Sequence, residues 1–451
     1  MNPLENAVFG ADPWWIVLIK VVLLFVILLV WTIFNVWYER RLVAKMQHRL
    51  GPIMNPTWAG GLGQAMADGA KLLLKEDFRP EGTDRIVYNL APVLTGVAAF
   101  TSWSVIPFGG QVTMFGHVTH LQLTDLPVAV LFILASASIG IYGIVLAGWA
   151  SNSTYSLLGG LRSSAQMISY EVAMGLSLVA VFLFAGSMST SQIVEAQAAP
   201  LMLGTFNTHL PGWYALLLFP SFIIYAIAMV GETNRAPFDL PEAESELVSG
   251  YITEYSGFRY ALYFLAEYIN MATVSAVATT LFLGGYHAPW PFNLIHALDN
   301  GWIGILWFVI KVQLLVSFFV WLRGTLPRFR YDQFMDLGWR WLIPISLVWL
   351  LLVATLKSAQ SFHWFRSPIF LGVLGVIVVV LVASLFLPSK EDEEIEGLDE
   401  DEPFDAFAGG YPVPPMPGQR LPEMAAVVRS TAGQAAPETS ETSLDETGAD
   451  S

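Results

Sequence analysis

Long apolar runs recur along this chain, separated by short polar connections. A helix needs about 20 mainly apolar residues to cross a hydrocarbon core that is about 30 Å thick. Nine stretches meet that requirement, at about residues 15–38, 88–108, 126–148, 170–187, 213–231, 260–284, 302–322, 340–356 and 367–388. The pattern therefore predicts an all-α, polytopic membrane protein with about nine transmembrane helices.

Residues 60–76 follow a different helical pattern. Gln64, Asp68, Lys71 and Lys75 recur at helical spacing and form one polar stripe on an otherwise apolar surface. A helix of this kind lies in a membrane surface instead of crossing the bilayer. We therefore expect one amphipathic interfacial helix here.

Lysine and arginine are divided unequally between the two alternating sets of connections. Segments 39–87, 149–169, 232–259, 323–340 and 389–451 hold 18 of them, whereas the other set holds 2. Because cytoplasmic connections carry the excess of basic residues, the count predicts an N-terminus outside and a C-terminal tail in the cytoplasm. The first span follows a leader without basic residues and is longer than a signal sequence, so we expect it to remain as an anchor.

Composition excludes a soluble globular protein. The 451 residues are 55% hydrophobic and only 13% charged, against about 25% charged in an average soluble domain. Of the net charge of −15, −13 falls in residues 389–451. We therefore expect a membrane domain over residues 1–388 and a disordered acidic cytoplasmic tail over 389–451, with plain solvation favoured over a binding role for the tail.

Two absences limit the chemistry of the chain. It contains no Cys, so it cannot hold a thiolate-ligated iron–sulfur cluster or use a thiol nucleophile. None of its seven His residues falls in a predicted span, which argues against a haem held between membrane helices. We expect this chain to bind no metal, haem, flavin or iron–sulfur cluster, so any electrons must come from neighbours.

Carboxylates crowd the predicted cytoplasmic connection between residues 231 and 270. Many aromatic residues are interspersed among them, which favours a packed, partly buried segment over an ordinary solvated acidic loop. A carboxylate inside a membrane is costly and by default marks an ion path, so Glu171 and Glu267, which fall within spans, predict a proton relay. The acidic residues of the connection are Glu232, Asp239, Glu242, Glu244, Glu246, Glu254 and Glu267, opposed by Arg235 and Arg259.

Two predicted cytoplasmic loops combine basic residues with other polar or aromatic ones. The first begins with Glu39-Arg40-Arg41 and continues to Lys45 and Arg49, and the second contains Pro327–Gln333. Topology anchoring explains both loops and is the favoured interpretation of the first. A docking surface, or a polar mouth for an amphiphilic ligand, is the alternative.

Several long motifs resemble the NuoH family, a family of membrane subunits of respiratory complex I, the proton-pumping NADH:quinone oxidoreductase. The resemblance covers most of residues 13–356. The motifs are Glu232–Tyr251 (ETNRAPFDLPEAESELVSGY), Thr253–Tyr255, Ala266–Tyr268, Glu39–Arg41, Ala67–Leu72, Gly148–Ser153, Ser169–Val172 and Pro327–Gln333.

The resemblance implies a subunit at the junction of the peripheral and membrane arms, with quinone as substrate. It places Glu39, Arg40, Arg49, Asp68 and Lys71 at the quinone entrance and chamber. It implies a proton-coupling path through Glu171, Glu232, Glu242, Glu244, Glu246, Glu254 and Glu267. The implied location is a bacterial plasma membrane. The implied partners are the peripheral-arm subunits with the terminal iron–sulfur cluster, small membrane subunits, antiporter-like subunits and membrane lipid. No nucleic acid is expected among the partners.

The sequence also departs from the family pattern. Residues 51–58 are slightly longer than the usual segment before the amphipathic helix, which affects the shape of the entrance. The family core has eight spans, so the ninth span and the tail are additions. Three alternatives stay open at this point: the matching subunit of a membrane-bound hydrogenase, a stand-alone secondary transporter, and a purely structural anchor.

Overall fold

The computed structural model of the chain describes residues 12–54, 60–203, 206–239, 248–294 and 301–361. Most of these residues are helical. The helices are α1 (Trp14–Met46), α2 (Gly63–Leu74), α3 (Arg85–Ser102), α4 (Ala129–Ala150), α5 (Thr154–Ala185), α6 (Thr190–Ala198), α7 (Tyr214–Leu217), α8 (Phe219–Glu232), α9 (Gly257–Phe282), α10 (Ile303–Thr325), α11 (Tyr331–Asp336) and α12 (Ile343–Ser361).

Within the described ranges, seven helical segments are long and apolar enough to cross a membrane. They are α1, α3 with the 3₁₀ turn that follows it, α4, α5, α9, α10, and the continuous run through α11 and α12. The shorter α8 occupies the fifth predicted span. The helical, multi-pass fold class is thus confirmed, whereas the count of nine is not. The predicted ninth span and the acidic tail lie outside the described residues.

Helix α2 confirms the predicted amphipathic helix, and α5 is longer than predicted. The sequence places the fourth span at residues 170–187, but α5 begins at Thr154. Its first half is rich in Ser and Gly and lacks the apolar character of a span. These small residues let α4 and α5 approach closely, since a Cβ on Gly160 would lie 3.3 Å from the Cα of Gly148.

Two small hairpins interrupt the helical architecture. Strands β1 (Gly109–Met114) and β2 (His117–Leu121) pair antiparallel, and β3 (Pro200–Leu203) pairs with β4 (Phe206–Pro211). Phe115 and Gly116 turn the first hairpin with positive φ, as a two-residue hairpin turn requires. We call this side of the bundle the hairpin end.

The opposite side is the acidic-loop end, where α1, α4, α8 and α10 stop and α3, α5 and α9 start. Here α1, α2 and α9 pack against one another. The core between the ends is apolar and aromatic, with Trp103, Tyr170, Tyr225, Phe282 and Phe308 fully buried. Charged side chains in this interior therefore need partners.

Lys311 shows how the fold accommodates one such charge near the hairpin end. Its ammonium group donates to the backbone carbonyls of Leu283, Gly285 and His287 at 2.6–2.9 Å. It also lies 4.8 Å from the centre of the Trp213 ring. Three carbonyl acceptors and a ring face replace water around the cation, so Lys311 fastens the chain that follows α9 onto α10.

Candidate functional site

Glu39 lies near the acidic-loop end of α1, and its side chain is only 6% exposed. The hydroxyl of Tyr268 on α9 donates to its Oε2 at 2.6 Å. Arg323, at the end of α10, donates to its Oε1, and Nη1 of Arg235 lies 3.6 Å from the same oxygen. The predicted entrance residue is therefore buried where three helices meet, with two guanidinium groups beside it.

Arg235, in the connection after α8, links Glu39 to a second carboxylate. Its Nε lies 2.9 Å from Oε1 of Glu267, and its guanidinium carbon lies 4.2 Å from the centre of the Tyr268 ring. Burial lowers the pKa of Arg235, but Glu267, Tyr268 and Glu39 raise it more, so the pKa lies well above its ordinary value. Arg235 therefore keeps its positive charge.

These side chains form a continuous series that we call the charge chain: Arg323, Glu39, Arg235 and Glu267. Opposite charges alternate along it, so its net charge is zero when every group is ionised. Alternation reduces the cost of burying four charges, whereas removal of any member leaves its neighbour inadequately paired. Glu267 is the inner end of the charge chain.

A small cavity of about 50 Å³ lies next to Glu267. Glu232 and Glu267 both line it. A buried water molecule needs roughly 10–15 Å³ of cavity volume together with polar hydrogen-bond partners. The cavity is therefore large enough for a few water molecules. The other residues on its wall that have polar side chains are Thr95, Ser102, Ser136, Thr233, Asn234, Tyr251, Tyr263 and Asn270.

Glu232, the last residue of α8, is 2% exposed. Its Oε2 has no hydrogen-bond partner among the described residues. A carboxyl oxygen is costly to bury without a partner, and water in the adjoining cavity can supply one. Glu267 and Glu232 line the same small cavity.

Glu171 lies deeper in its helix than the sequence indicates. The sequence predicts a position near the start of a span, but α5 begins so early that Glu171 is about five turns along the helix. It is partly exposed and accepts a hydrogen bond from the hydroxyl of Ser138 on α4. It is also close enough to Glu232 for their charges to interact.

The remaining predicted carboxylates are placed differently. Glu254 is partly exposed and is not among the residues that line the cavity, and its backbone carbonyl accepts a hydrogen bond of 2.6 Å from Tyr88. Glu242, Glu244 and Glu246 lie outside the described residues.

The other predicted entrance residues lie on the surface around α2. Arg40 forms an ion pair with Asp68, and Gln64 donates to the same carboxylate at 3.2 Å. Lys71 is exposed, and the exposed Arg49 donates to Gln47 at 2.7 Å. Of the predicted set, Glu39 alone belongs to the charge chain, while Arg40 and Asp68 tie α1 to α2.

The basic loop after α10 lies against the start of the acidic connection. A guanidinium nitrogen of Arg328 is 3.5 Å from Oδ2 of Asp239, and the backbone N–H of Phe329 donates to the carbonyl of Pro237 at 3.1 Å. The Phe329 and Phe238 rings are 5.5 Å apart. This loop therefore does more than anchor the topology, because it helps to hold the acidic connection in place.

Sequence reasoning misses three members of the site: Arg235, Arg323 and Tyr268. In the sequence, Arg235 counts only as a charge opposing the acidic residues, and Arg323 only as a basic loop residue. The sequence does contain a pattern that could have identified Arg235 as a site residue, since it is one of two basic residues in a strongly acidic segment. Among the described residues, no group of three or more His, Asp or Glu could hold a metal ion.

The fold and the charge chain together define a class of protein. The bundle consists of membrane-length helices and carries ionisable side chains in its interior. In such proteins, intramembrane carboxylates mark paths for ions or protons. The class is therefore that of multi-pass membrane proteins with paired ionisable side chains buried in the helical bundle.

The chain belongs to the NADH dehydrogenase family, whose family model matches residues 19–354. Three relatives are named as the H subunit of NADH-quinone oxidoreductase. That of Cutibacterium acnes is 65% identical, over 96% of this chain and 97% of the relative. That of Streptomyces avermitilis is 53% identical, over 93% and 90%. That of Frankia alni is 54% identical, over 86% and 83%. The resemblance found in the sequence is thereby confirmed.

Proposed function

We propose that this chain is the subunit of a proton-pumping NADH:quinone oxidoreductase that forms the quinone-access chamber and relays quinone reduction to proton translocation. Family membership and the names of the relatives support the type of complex. The mutual packing of α1, α2 and α9 supports a chamber between the elements that the family motifs assign to it. Its partners would be electron-delivering peripheral subunits and membrane subunits that pump protons.

An aromatic stripe on α9 supports a route for quinone. Tyr260, Phe264 and Tyr268 are spaced one turn apart, and their successive ring centres are 6.4 and 4.8 Å apart. The inner ring, Tyr268, touches both Glu39 and Arg235. Flat aromatic faces suit a quinone ring, so the stripe would lead the substrate to the charge chain.

One observation carries the proposal: Glu267 is joined by Arg235 to Glu39 on one side and shares a cavity with Glu232 on the other. Reduction of one quinone to quinol takes up two electrons and two protons, and neighbouring subunits supply the electrons. Negative charge developing on the quinone would attract Arg235 and weaken its hold on Glu267. Glu267 would then take up a proton by way of the cavity water.

The free energy of breaking a buried ion pair can be compared with that of moving a proton against the membrane potential. Moving one elementary charge against 100 mV of membrane potential costs about 2.3 kcal/mol. Removing one partner of a buried ion pair costs about 3–5 kcal/mol. The free energy needed to break the Arg235–Glu267 pair is therefore of the same order as that needed to move one proton, and reduction of the quinone would supply both.

We include Glu171 as the next carboxylate beyond Glu232, since the charges of the two interact. Glu242, Glu244, Glu246 and Glu254 are included because the family motif assigns them to the acidic path. Within a bacterial plasma membrane, the charge bias would place the acidic-loop end on the cytoplasmic side. The names of the relatives favour this function over the hydrogenase, transporter and anchor alternatives.

Substitution of the two cavity carboxylates tests the proposal. Complexes with Glu267→Gln or Glu232→Gln, reconstituted in liposomes, should still reduce quinone while translocating fewer protons per electron. The matched control is Glu195→Gln, because Glu195 is an exposed residue of α6 at the hairpin end. Normal pumping by fully assembled Glu267→Gln and Glu232→Gln complexes would contradict the proposal.

A further inference from the structure

Residues 231–238 carry two members of the site, Glu232 and Arg235, from the end of α8 toward the acidic residues that follow. After Glu232 this segment contains turns but no helix or strand, yet all of its residues except Asn234 are buried. Buried backbone groups outside regular secondary structure need hydrogen-bond partners from elsewhere in the fold. The element that supplies those partners therefore determines where the side chains of Glu232 and Arg235 lie.

One face of α5 contacts this segment. The residues of that face are spaced three, four and seven positions apart, so they lie on the same side of the helix. They are Ser163, Gln166, Met167 and Tyr170, and all four are buried. A Cβ on Gly231 would lie 2.5 Å from the Tyr170 ring, so a glycine is required for the end of α8 to come this close to α5.

Gln166 holds both ends of the segment. Its Nε2 donates to the carbonyl of Gly231 and to the carbonyl of Phe238, each at 2.8 Å. These two bonds can use both N–H groups of the amide, and the side chain is fully buried. Because the last carbonyls of a helix lack partners within the helix, the bond to Gly231 also caps α8. One side chain thus joins two backbone positions that are seven residues apart.

Asn234 adds a contact in the middle of the segment. Its φ is 52°, a left-handed backbone conformation that Asn adopts more readily than most residues. Its Nδ2 donates to Oγ of Ser163 at 3.2 Å and to Sδ of Met167 at 3.4 Å. Glu232 directly follows Gly231, and Arg235 directly follows Asn234, so each charged residue is next to one that α5 holds.

We propose that Gln166 is a positioning residue for proton coupling, an inference that rests on the proposed function. It fixes the segment so that Glu232 lines the cavity while Arg235 lies between Glu39 and Glu267. Gln166 is not among the residues that line the cavity and is not a member of the charge chain, so it acts through Glu232 and Arg235. When its two bonds are lost, two buried carbonyls need new partners and the segment shifts.

The substitution Gln166→Met tests the inference. Met has a similar unbranched chain but no N–H donor, so the space stays filled while both carbonyls lose their partner. The full complex in liposomes should still reduce quinone with electrons from NADH, and it should translocate at least twofold fewer protons per electron. Amide hydrogen exchange in residues 231–238 should become faster, because this segment opens more easily.

Gln197→Met is the matched control. Gln197 is a fully buried glutamine of α6, near the hairpin end, and its Nε2 also donates to two backbone carbonyls, those of Ile193 at 3.3 Å and Thr280 at 2.9 Å. Its substitution removes a comparable set of bonds away from the cavity and the charge chain. The thermal stability of both variants should fall. Gln197→Met should keep the number of protons per electron and the exchange rates of residues 231–238 unchanged.

Ser163→Ala provides a milder change on the same face of α5. It removes only the hydroxyl that accepts from Asn234 and adds no bulk, so the helix keeps its packing. Protons per electron should fall by less than in Gln166→Met, at unchanged quinone reduction. If the Gln166→Met complex does not assemble, normal pumping by the assembled Ser163→Ala complex would overturn the inference.

The inference and the proposed function fail in different ways. Normal pumping by an assembled Gln166→Met complex would overturn the inference, and so would an equal fall in Gln197→Met. If this occurs while Glu232→Gln and Glu267→Gln lower pumping, the proposed function stands. A lowered ratio in Gln166→Met alongside normal pumping by both glutamate variants would retain Gln166 as a positioning residue and remove Glu232 and Glu267 as the proton carriers.

Discussion

Arg235 joins two carboxylates that lie far from it in the sequence. Glu39 is on α1 and Glu267 is on α9, yet both lie within 3.6 Å of its guanidinium nitrogens. Its ring partner Tyr268 also donates to Glu39, so one arginine and one tyrosine organise the inner part of the site. We infer that Arg235 is the most sensitive single residue of the charge chain.

Replacement of Arg235 by Gln should therefore destabilise the subunit strongly. The change leaves Glu267 buried without its charge partner, and loss of one member of a buried ion pair costs about 3–5 kcal/mol. Arg235→Lys should recover only part of this loss, because an ammonium group cannot reproduce the planar fork of guanidinium donors. The measurement is the temperature at which the purified complex loses its assembled form.

The control for this substitution is Arg330→Gln. The Arg330 side chain is 76% exposed, and its partner Asp332 is 75% exposed. A surface substitution of this kind changes stability by about 0.5 kcal/mol or less. Equal thermal stability of the Arg235→Gln and Arg330→Gln complexes would show that the charge chain contributes nothing to the fold.

Residue types and motifs indicate which carboxylates to consider, but the pairing between them could not be predicted. Glu232 and Glu267 lie beside or within apolar runs, and this position in the sequence is what suggests their burial. The partners Arg235 and Arg323 reach the carboxylates only when α1, α9 and α10 pack together. Contacts such as Arg323–Glu39, across more than 200 residues of chain, leave no local pattern in a single sequence.

At the scale of elements, hydrophobic patterns locate the helices well where nearly every residue of the helix is apolar, as crossing a bilayer requires. α1, α4, α9 and α10 fall close to the predicted spans. The pattern fails for the first half of α5, whose small polar residues serve packing against neighbours. It also passes over the two hairpins, because their strands are too short to show a reliable alternation.

Gly159 illustrates that packing and gives a prediction for α5. A Cβ at this position would lie 2.5 Å from the Cα of Gly250, a backbone atom in the turn that precedes α9. Gly159→Ala should therefore force the turn away from α5 and lower stability by about 1–3 kcal/mol. Thermal dissociation of the complex measures the loss.

Gly175→Ala is the matched control on the same helix, since a Cβ there meets nothing within 4 Å. It should keep or slightly raise stability, because Ala favours the helix over Gly. If the two alanine variants behaved alike, close backbone packing of α5 would not be needed at this end of the bundle.

At the scale of the whole molecule, the site runs from the edge of the bundle at Arg323, whose side chain is 41% exposed, to the buried Glu232. The charge chain begins at Arg323, where α10 ends, passes inward to Glu267, and continues through the cavity to Glu232. The aromatic stripe on α9 ends at Tyr268, which contacts both Glu39 and Arg235. In this account, the molecule converts charge on a quinone into a change of proton affinity at buried carboxyl groups.

Infrared difference spectroscopy of the intact complex tests that claim most directly. Spectra recorded before and after quinone reduction should show a change in the carboxyl C=O stretching region, which reports protonation of a carboxyl group. The signal should be reduced in Glu267→Gln and in Glu232→Gln, and it should persist in Glu195→Gln. Identical carboxyl signals in the unsubstituted complex and all three variants, at equal quinone reduction, would contradict the account.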